Sequence, residues 1–126
     1  MVSAGLFRTA ETQTFDAGAR IFNEGESGDV MYFVKSGQVQ IQIGPYDEVV
    51  EEGSIFGEMS LIDNGLRSAS AVAKTDCTLV PIDRRRFQFL VQETPYFALE
   101  VMKVMADRLR HTNARVVELK LAGDGR

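Results

Sequence analysis

Between Gln38 and Ile43 the chain alternates strictly between polar and apolar residues, and that two-residue period predicts a half-buried strand with Val39, Ile41 and Ile43 facing inward. Shorter strand-like runs flank it at Gln13–Phe15, Ala19–Phe22, Val30–Val34, Val49–Val50, Ser70–Ala73 and Thr78–Ile82. Glycine-bearing turns separate them, at Asp16-Ala17-Gly18, Asn23 to Asp29, Lys35-Ser36-Gly37, Gly44-Pro45 and Glu51-Glu52-Gly53. Many short strands at such spacing predict a closed or two-sheet β-roll over about residues 14–82.

From Asp83 onward the period becomes helical. Asp83 reads as the N-cap of a short helix over Arg84–Val91, where it offsets basic residues badly placed for the helix dipole. The run Arg84 to Arg86 then forms a solvated face. Thr94-Pro95 predicts a second start, a capping residue followed by proline at the first helical position, and no breaker follows until Gly123. Ala98, Met102, Met105, Leu109, Thr112, Val116 and Leu119 recur at spacings of four and three, as along a coiled-coil seam. Ala98 to Leu109 is expected to pack on the β-roll, and Thr112 to Leu119 to pair in parallel with a second copy. Residues 122–126 are expected to fray. The fold class is mainly β with C-terminal helices (α+β). It is a double-stranded β-helix, or jelly roll, with one short helix inserted, a long C-terminal helix, and one domain over residues 1–126.

The inserted helix lies in Gly53-Ser54-Ile55-Phe56-Gly57-Glu58-Met59-Ser60-Leu61-Ile62-Asp63-Asn64-Gly65-Leu66-Arg67-Ser68-Ala69-Ser70. Gly57 opens about one helical turn, Glu58 to Ile62, and Asn64-Gly65 ends it. A helix start exposes unpaired N–H groups, and glycine lets an anion approach them. Arg67 follows just beyond the turn and can fold back toward the same place, so guanidinium and amide donors converge. Ser68 and the Ala69 N–H add neutral donors, while Glu58 accepts only and suits a sugar hydroxyl beside a phosphate. The plainer alternative is a loop salt bridge between Glu58 and Arg67, worth little at a surface.

Composition narrows the classes. The 126 residues are 44% hydrophobic and 25% charged, with a net charge of −4, which suits one globular domain and disfavours direct nucleic-acid binding. A bound anion therefore needs a local positive site. The single cysteine, Cys77, permits no intrachain disulfide, and no signal peptide or bilayer-length apolar run is evident; a cytoplasmic setting without membrane association is expected. Cys77 sits in a strand-like run as a buried, inert thiol. His111 reads as solvated. One histidine and one cysteine leave no expectation of a metal site or of catalysis.

Phe56-Gly57-Glu58-Met59-Ser60-Leu61 followed by Arg67-Ser68-Ala69 resembles the phosphate-binding cassette of the cyclic-nucleotide-binding domain family. Phe15-Asp16-Ala17-Gly18, Ile21 to Gly25, Gly28-Asp29, Met31-Tyr32 and Ser36-Gly37 resemble its strand and turn signature, so the likeness runs from Phe15 to about Leu121. The resemblance implies that Arg67 pairs with an equatorial phosphate oxygen and that Glu58 accepts from the ribose 2′-OH. Backbone donors near Gly57, Ser68 and Ala69 complete the pocket. Arg108 to Asn113 is similar to the helix of the bacterial catabolite-activator branch, where residues at the positions of Thr112 and Asn113 meet the adenine. The resemblance makes that helix a lid. Thr112 reads equally as a register-setting polar residue in a seam.

The implied function is a regulatory sensor of cAMP or, less favoured, cGMP, with no cofactor, a possible homodimer and an unspecified downstream effector. After Leu121 and before Phe15 the chain holds too few residues for an effector module, so a stand-alone sensor or an excised regulatory domain is expected. Two rivals remain in view. A ligand-independent interaction or dimerisation roll would not need Glu58 and Arg67, and a cupin-like barrel enzyme would need clustered histidines.

Overall fold

The structure, a computed structural model, describes residues 4–124. Eight strands form two four-stranded sheets in which every paired neighbour is antiparallel. The strands are β1 (Gln13–Phe15), β2 (Arg20–Phe22), β3 (Val30–Ser36), β4 (Val39–Ile43), β5 (Tyr46–Val50), β6 (Ile55–Phe56), β7 (Ser70–Ala73) and β8 (Cys77–Asp83). The first sheet runs β1-β8-β3-β6 and the second β2-β7-β4-β5. Three helices follow the expected plan: α1 (Glu58–Asp63) between β6 and β7, then α2 (Arg84–Glu93) and α3 (Tyr96–Asp124). A 3-10 turn, Ala4–Phe7, precedes β1.

The apolar pattern explains the layering. Along β3, Met31 and Phe33 join one buried cluster with Val80 and Ile82 of β8 and with Phe97, Val101 and Val104 of α3. The intervening Tyr32 and Val34 face a second cluster with Val39, Phe56, Ala71 and Leu79, between the sheets. The first sheet is thus covered on both faces, by the helices and by the second sheet. That is why β3 and β8 read as continuous apolar runs rather than alternating ones. The second sheet has one covered face, which the alternation of β4 records.

Several expectations need correction. The inward row of β4 does not stay in the core: Val39 is fully buried, Ile41 half-buried, and Ile43 is 42% exposed. The row leaves the sheet-sheet interior and continues along the wall of a cavity. The brief Val49–Val50 strand is the end of a five-residue strand paired with all of β4. Ile55 and Phe56 form a strand that local pattern does not announce, because two residues become a strand only by pairing with Phe33 and Tyr32.

On α3 the buried row is Phe97, Val101 and Val104, with Met105 at its margin, whereas Met102 and Leu109 are exposed. The apolar residues of this helix cover two adjacent faces, and the sheet takes the one carrying the bulky Phe97. The helix continues through Asp124, into the segment expected as a tail, while 125–126 lie outside the described residues. Gly123 costs only about 1 kcal/mol in a helix, which an established ladder tolerates.

The caps behave as the chemistry requires. The Asp83 carboxylate accepts from the Arg86 N–H at 2.8 Å. Thr94 closes α2 by donating its N–H to Leu90 and accepts from Phe97 N–H as α3 begins one residue after Pro95. Cys77 is buried, its thiol donating toward the carbonyls of Gln38 and Thr75.

Phe7 was not foreseen as core. It is fully buried, stacks on Phe33 at 4.5 Å and meets the edge of Phe97 at 6.2 Å. Phe7→Ala is expected to lower the unfolding free energy by about 3–5 kcal/mol in urea denaturation. A loss below roughly 1 kcal/mol would show that the 3-10 turn is not docked on the sheet.

Candidate functional site

A cavity of about 260 Å³ opens between α1, the β4–β5 hairpin and α3. Its walls contain nine of the ten residues singled out from sequence: Phe56, Gly57, Glu58, Met59, Ser60, Arg67, Ser68, Ala69 and Thr112. Asn113 is exposed and is not part of the lining. It follows Thr112 by one residue, about 100° around the helix, and so turns away when Thr112 faces the cavity. Thr112 itself returns its hydroxyl to the Arg108 carbonyl at 3.0 Å. Phe22, Ile41, Ile43, Glu48, Met105, Arg108 and Leu109 also line the cavity, and sequence reading did not select them.

Arg67 enters the site from the segment between α1 and β7, with its backbone held on both sides. Its N–H donates to the Glu26 carbonyl at 2.7 Å, and its carbonyl accepts from Gly25 N–H at 2.8 Å. The side chain is 7% exposed. Nη1 donates to the Gly57 carbonyl at 3.0 Å and to Ser60 Oγ at 2.8 Å, and Nη2 donates to the Val30 carbonyl at 2.6 Å. Three of the five guanidinium N–H groups are therefore taken. Nε is buried with no partner among the described residues. Burial pulls this guanidinium below its ordinary value, against the favourable charges of Tyr32, Asp29, Glu26 and Glu58; it remains protonated at neutral pH.

Glu58 opens α1 and is 1% exposed. Its Oε1 pairs with Nη1 of Arg108, which descends from α3 and also donates from Nη2 to the Ile55 carbonyl. The other oxygen, Oε2, is buried without a partner among the described residues. The plainer alternative of a Glu58–Arg67 loop salt bridge is not what the structure shows: Glu58 pairs with Arg108 instead, which ties α3 to α1 and β6. Only a weak signal marks Arg108 in sequence, since one arginine among polar helical residues reads as solvated.

Two glycines make the packing possible. Gly57 precedes α1 with φ +78, a left-handed conformation in which a side chain is strained. At Gly28 the obstacle is space: a Cβ would lie 2.3 Å from Arg67 Nε and 2.5 Å from Ser60 Oγ. Beside them, burial pushes the Tyr32 phenol above its ordinary range, with Arg67 opposing and Asp29 adding to the shift.

Arg67, a buried cation whose Nε has no partner among the described residues, and Glu58, a buried carboxylate whose Oε2 has none, line the cavity together with apolar side chains. No group of three or more His, Cys, Asp or Glu that could hold a metal occurs among the described residues. His111 is exposed, its Nδ1 hydrogen-bonded to the Asp107 carbonyl at 2.8 Å. No described helix is long and apolar enough to cross a membrane.

A β-roll with an inserted helix thus carries a buried arginine and a buried glutamate on the lining of one cavity. Residues 12–94 match the family model of the cyclic nucleotide-binding domain, and the chain belongs to that family. It is 31% identical over 122 residues, 92% of this chain and 54% of the relative, to a CRP-like cAMP-activated global transcriptional regulator of Mycobacterium tuberculosis. The catabolite activator protein of Thermus thermophilus has a similar structure, with a TM-score of 0.75 and 32% identity over 88% of this chain and 55% of that one. A structure from a study of a cyclic-GMP-dependent signalling pathway in bacterial phytopathogenesis matches 94% of this chain and 95% of its own at 29% identity and a TM-score of 0.68. The chain spans about half the length of the curated relatives it matches.

Gly28→Ala should lower the unfolding free energy by about 1–3 kcal/mol, because the added methyl overpacks the Arg67 side chain. Chemical denaturation measures it. Unchanged stability would contradict the position of Arg67 against this glycine.

Proposed function

We propose that this chain senses a purine 3′,5′-cyclic nucleotide and passes the binding event to α3, without catalysis. The observation that carries the reading is a pair of buried polar atoms without partners among the described residues, Nε of Arg67 and Oε2 of Glu58, on two side chains that line the same cavity. A ligand joining an anionic oxygen to a hydroxyl donor satisfies both, and a cyclic phosphate fused to ribose is such a ligand. Arg67 then offers Nε–H and the remaining Nη2–H to phosphate oxygens as a fork, while Glu58 Oε2 accepts the 2′-OH. The Ser68 hydroxyl and backbone N–H groups near Gly57 and Ala69 complete the phosphate shell.

Glu58 would then serve two masters. One oxygen holds Arg108 of α3 and the other the sugar, so ligand and helix share a single carboxylate. A ligand that binds one helix position better than another shifts the helix by that difference in affinity. Apolar side chains of β4, Leu109 and Thr112 would receive the base. We favour adenine. The similarity to a cAMP-activated regulator supports it, while the likeness to a structure from a cGMP pathway and the Ser68 hydroxyl keep guanine as the competing base.

Calorimetric titration with cAMP and cGMP tests the reading. At least one nucleotide should bind the wild-type chain, and Arg67→Ala should weaken it about ten-fold or more, since a charge-assisted hydrogen bond contributes roughly 1.5–3 kcal/mol. Binding of neither nucleotide, or equal affinity in the folded variant, refutes it.

The same reading includes a homodimer through the distal half of α3, where Val116 and Leu119 are 57% and 56% exposed on one stripe. Sedimentation should show a concentration-dependent dimer that Val116→Glu with Leu119→Glu converts to monomer. A wild-type monomer at all concentrations would remove the dimer from the account.

A further inference from the structure

We propose that Phe22 is a positioning residue for Arg67: its ring face sets the tilt of the guanidinium and so directs the one fork of N–H groups that the protein leaves free. The affinity arm of this inference rests on the proposed role of Arg67 as phosphate partner. Its spectroscopic arm does not.

The guanidinium is planar, and its three hydrogen bonds lie around its rim, to Gly57, Ser60 and Val30. Rim contacts locate a plate but restrain its faces poorly. Guanidinium faces are weakly hydrated and stack readily on aromatic rings. Here the guanidinium carbon lies 4.0 Å over the centroid of Phe22, well within the range of a cation–π contact. Desolvation strengthens such a contact, and this arginine is buried.

The platform is itself braced. Phe22 lies 5.9 Å from Phe56 and 6.4 Å from Tyr32, and the last two stack at 5.2 Å. Phe22 belongs to the second sheet, Tyr32 and Phe56 to the first. The three rings thus bridge both sheets, so the tilt of Arg67 is referred to the roll as a whole rather than to the segment that carries it. Gly28 packs close against the same group, since even a methyl there would overlap Nε and the guanidinium carbon. Leucine at position 22 could fill much of the same volume but would present neither a flat face nor a quadrupole.

Two measurements decide the matter. In ¹H–¹⁵N spectra of the ligand-free protein, Arg67 Nε–H is expected to be shifted upfield by the ring and its Nη groups to be separately resolved. Phe22→Leu should collapse both features, and Phe22→Tyr should restore them. Persistence of the wild-type Arg67 signals in a folded Phe22→Leu variant overturns the inference. In calorimetric titration with cAMP, Phe22→Leu should weaken binding about ten-fold, Phe22→Tyr should bind as wild type, and Phe22→Leu should add nothing in an Arg67→Ala background. An equal loss in both backgrounds means that the ring acts on the ligand or on the fold, and overturns the inference. If the wild type binds neither cAMP nor cGMP, the proposed function fails, and the spectra alone decide the role of Phe22.

Discussion

Burying the guanidinium of Arg67 is the constraint around which this end of the molecule is built. A charge taken out of water without partners costs several kcal/mol, so the surroundings must supply acceptors, a compatible face and room. Carbonyls of β3 and of the residue before α1 supply acceptors, with Ser60 inside the helix. Phe22 supplies the face, and Gly28 the room. These groups come from β2, the β2–β3 turn, β3 and α1, so one side chain fixes how the helix sits on the roll. Three donors are spent on this structural task and two remain, which makes Arg67 a brace and, under the proposed function, a binding group as well.

Glu58 presents the complementary problem. Its carboxylate is buried at the start of α1, and among the described residues only one of its oxygens is paired, with an arginine from fifty residues further along the chain. Removing one partner of a buried pair costs about 3–5 kcal/mol because the other charge is left stranded. The contact thus gives α3 a strong reason to stay against the roll. Under the proposed function, the helix position also responds to whatever else Glu58 holds, and fold and response meet at this carboxylate.

Much of this was legible in the residues. The position of the β4 strand, the Asp83 cap and the glycine-bounded α1 required only local physics, and each stands where expected, although the inward row of β4 stays in the core only at Val39. Glu58 and Arg67 stood out as charged groups in a segment otherwise rich in glycine and apolar residues. What escaped was decided by tertiary contact. Phe7 is core because the 3-10 turn folds back onto Phe33; β6 exists only through its pairing with β3. The packed face of α3 was displaced by one residue, from Ala98, Met102 and Met105 to Phe97, Val101 and Val104, because a helix apolar on adjacent faces does not reveal which face a sheet will take. Arg108 was passed over for a related reason: nothing local tells a helical arginine that its partner waits on another element.

The central claim is that one cyclic nucleotide satisfies both unpartnered atoms at once. The most direct test is a crystal structure of the chain with cAMP or cGMP, read at two distances. The account predicts a phosphate oxygen within about 3 Å of Arg67 Nε and the ribose 2′-oxygen within about 3 Å of Glu58 Oε2, with Arg108 still on Oε1. A nucleotide whose phosphate lies away from Arg67, or whose sugar leaves Glu58 Oε2 unpaired, would contradict it.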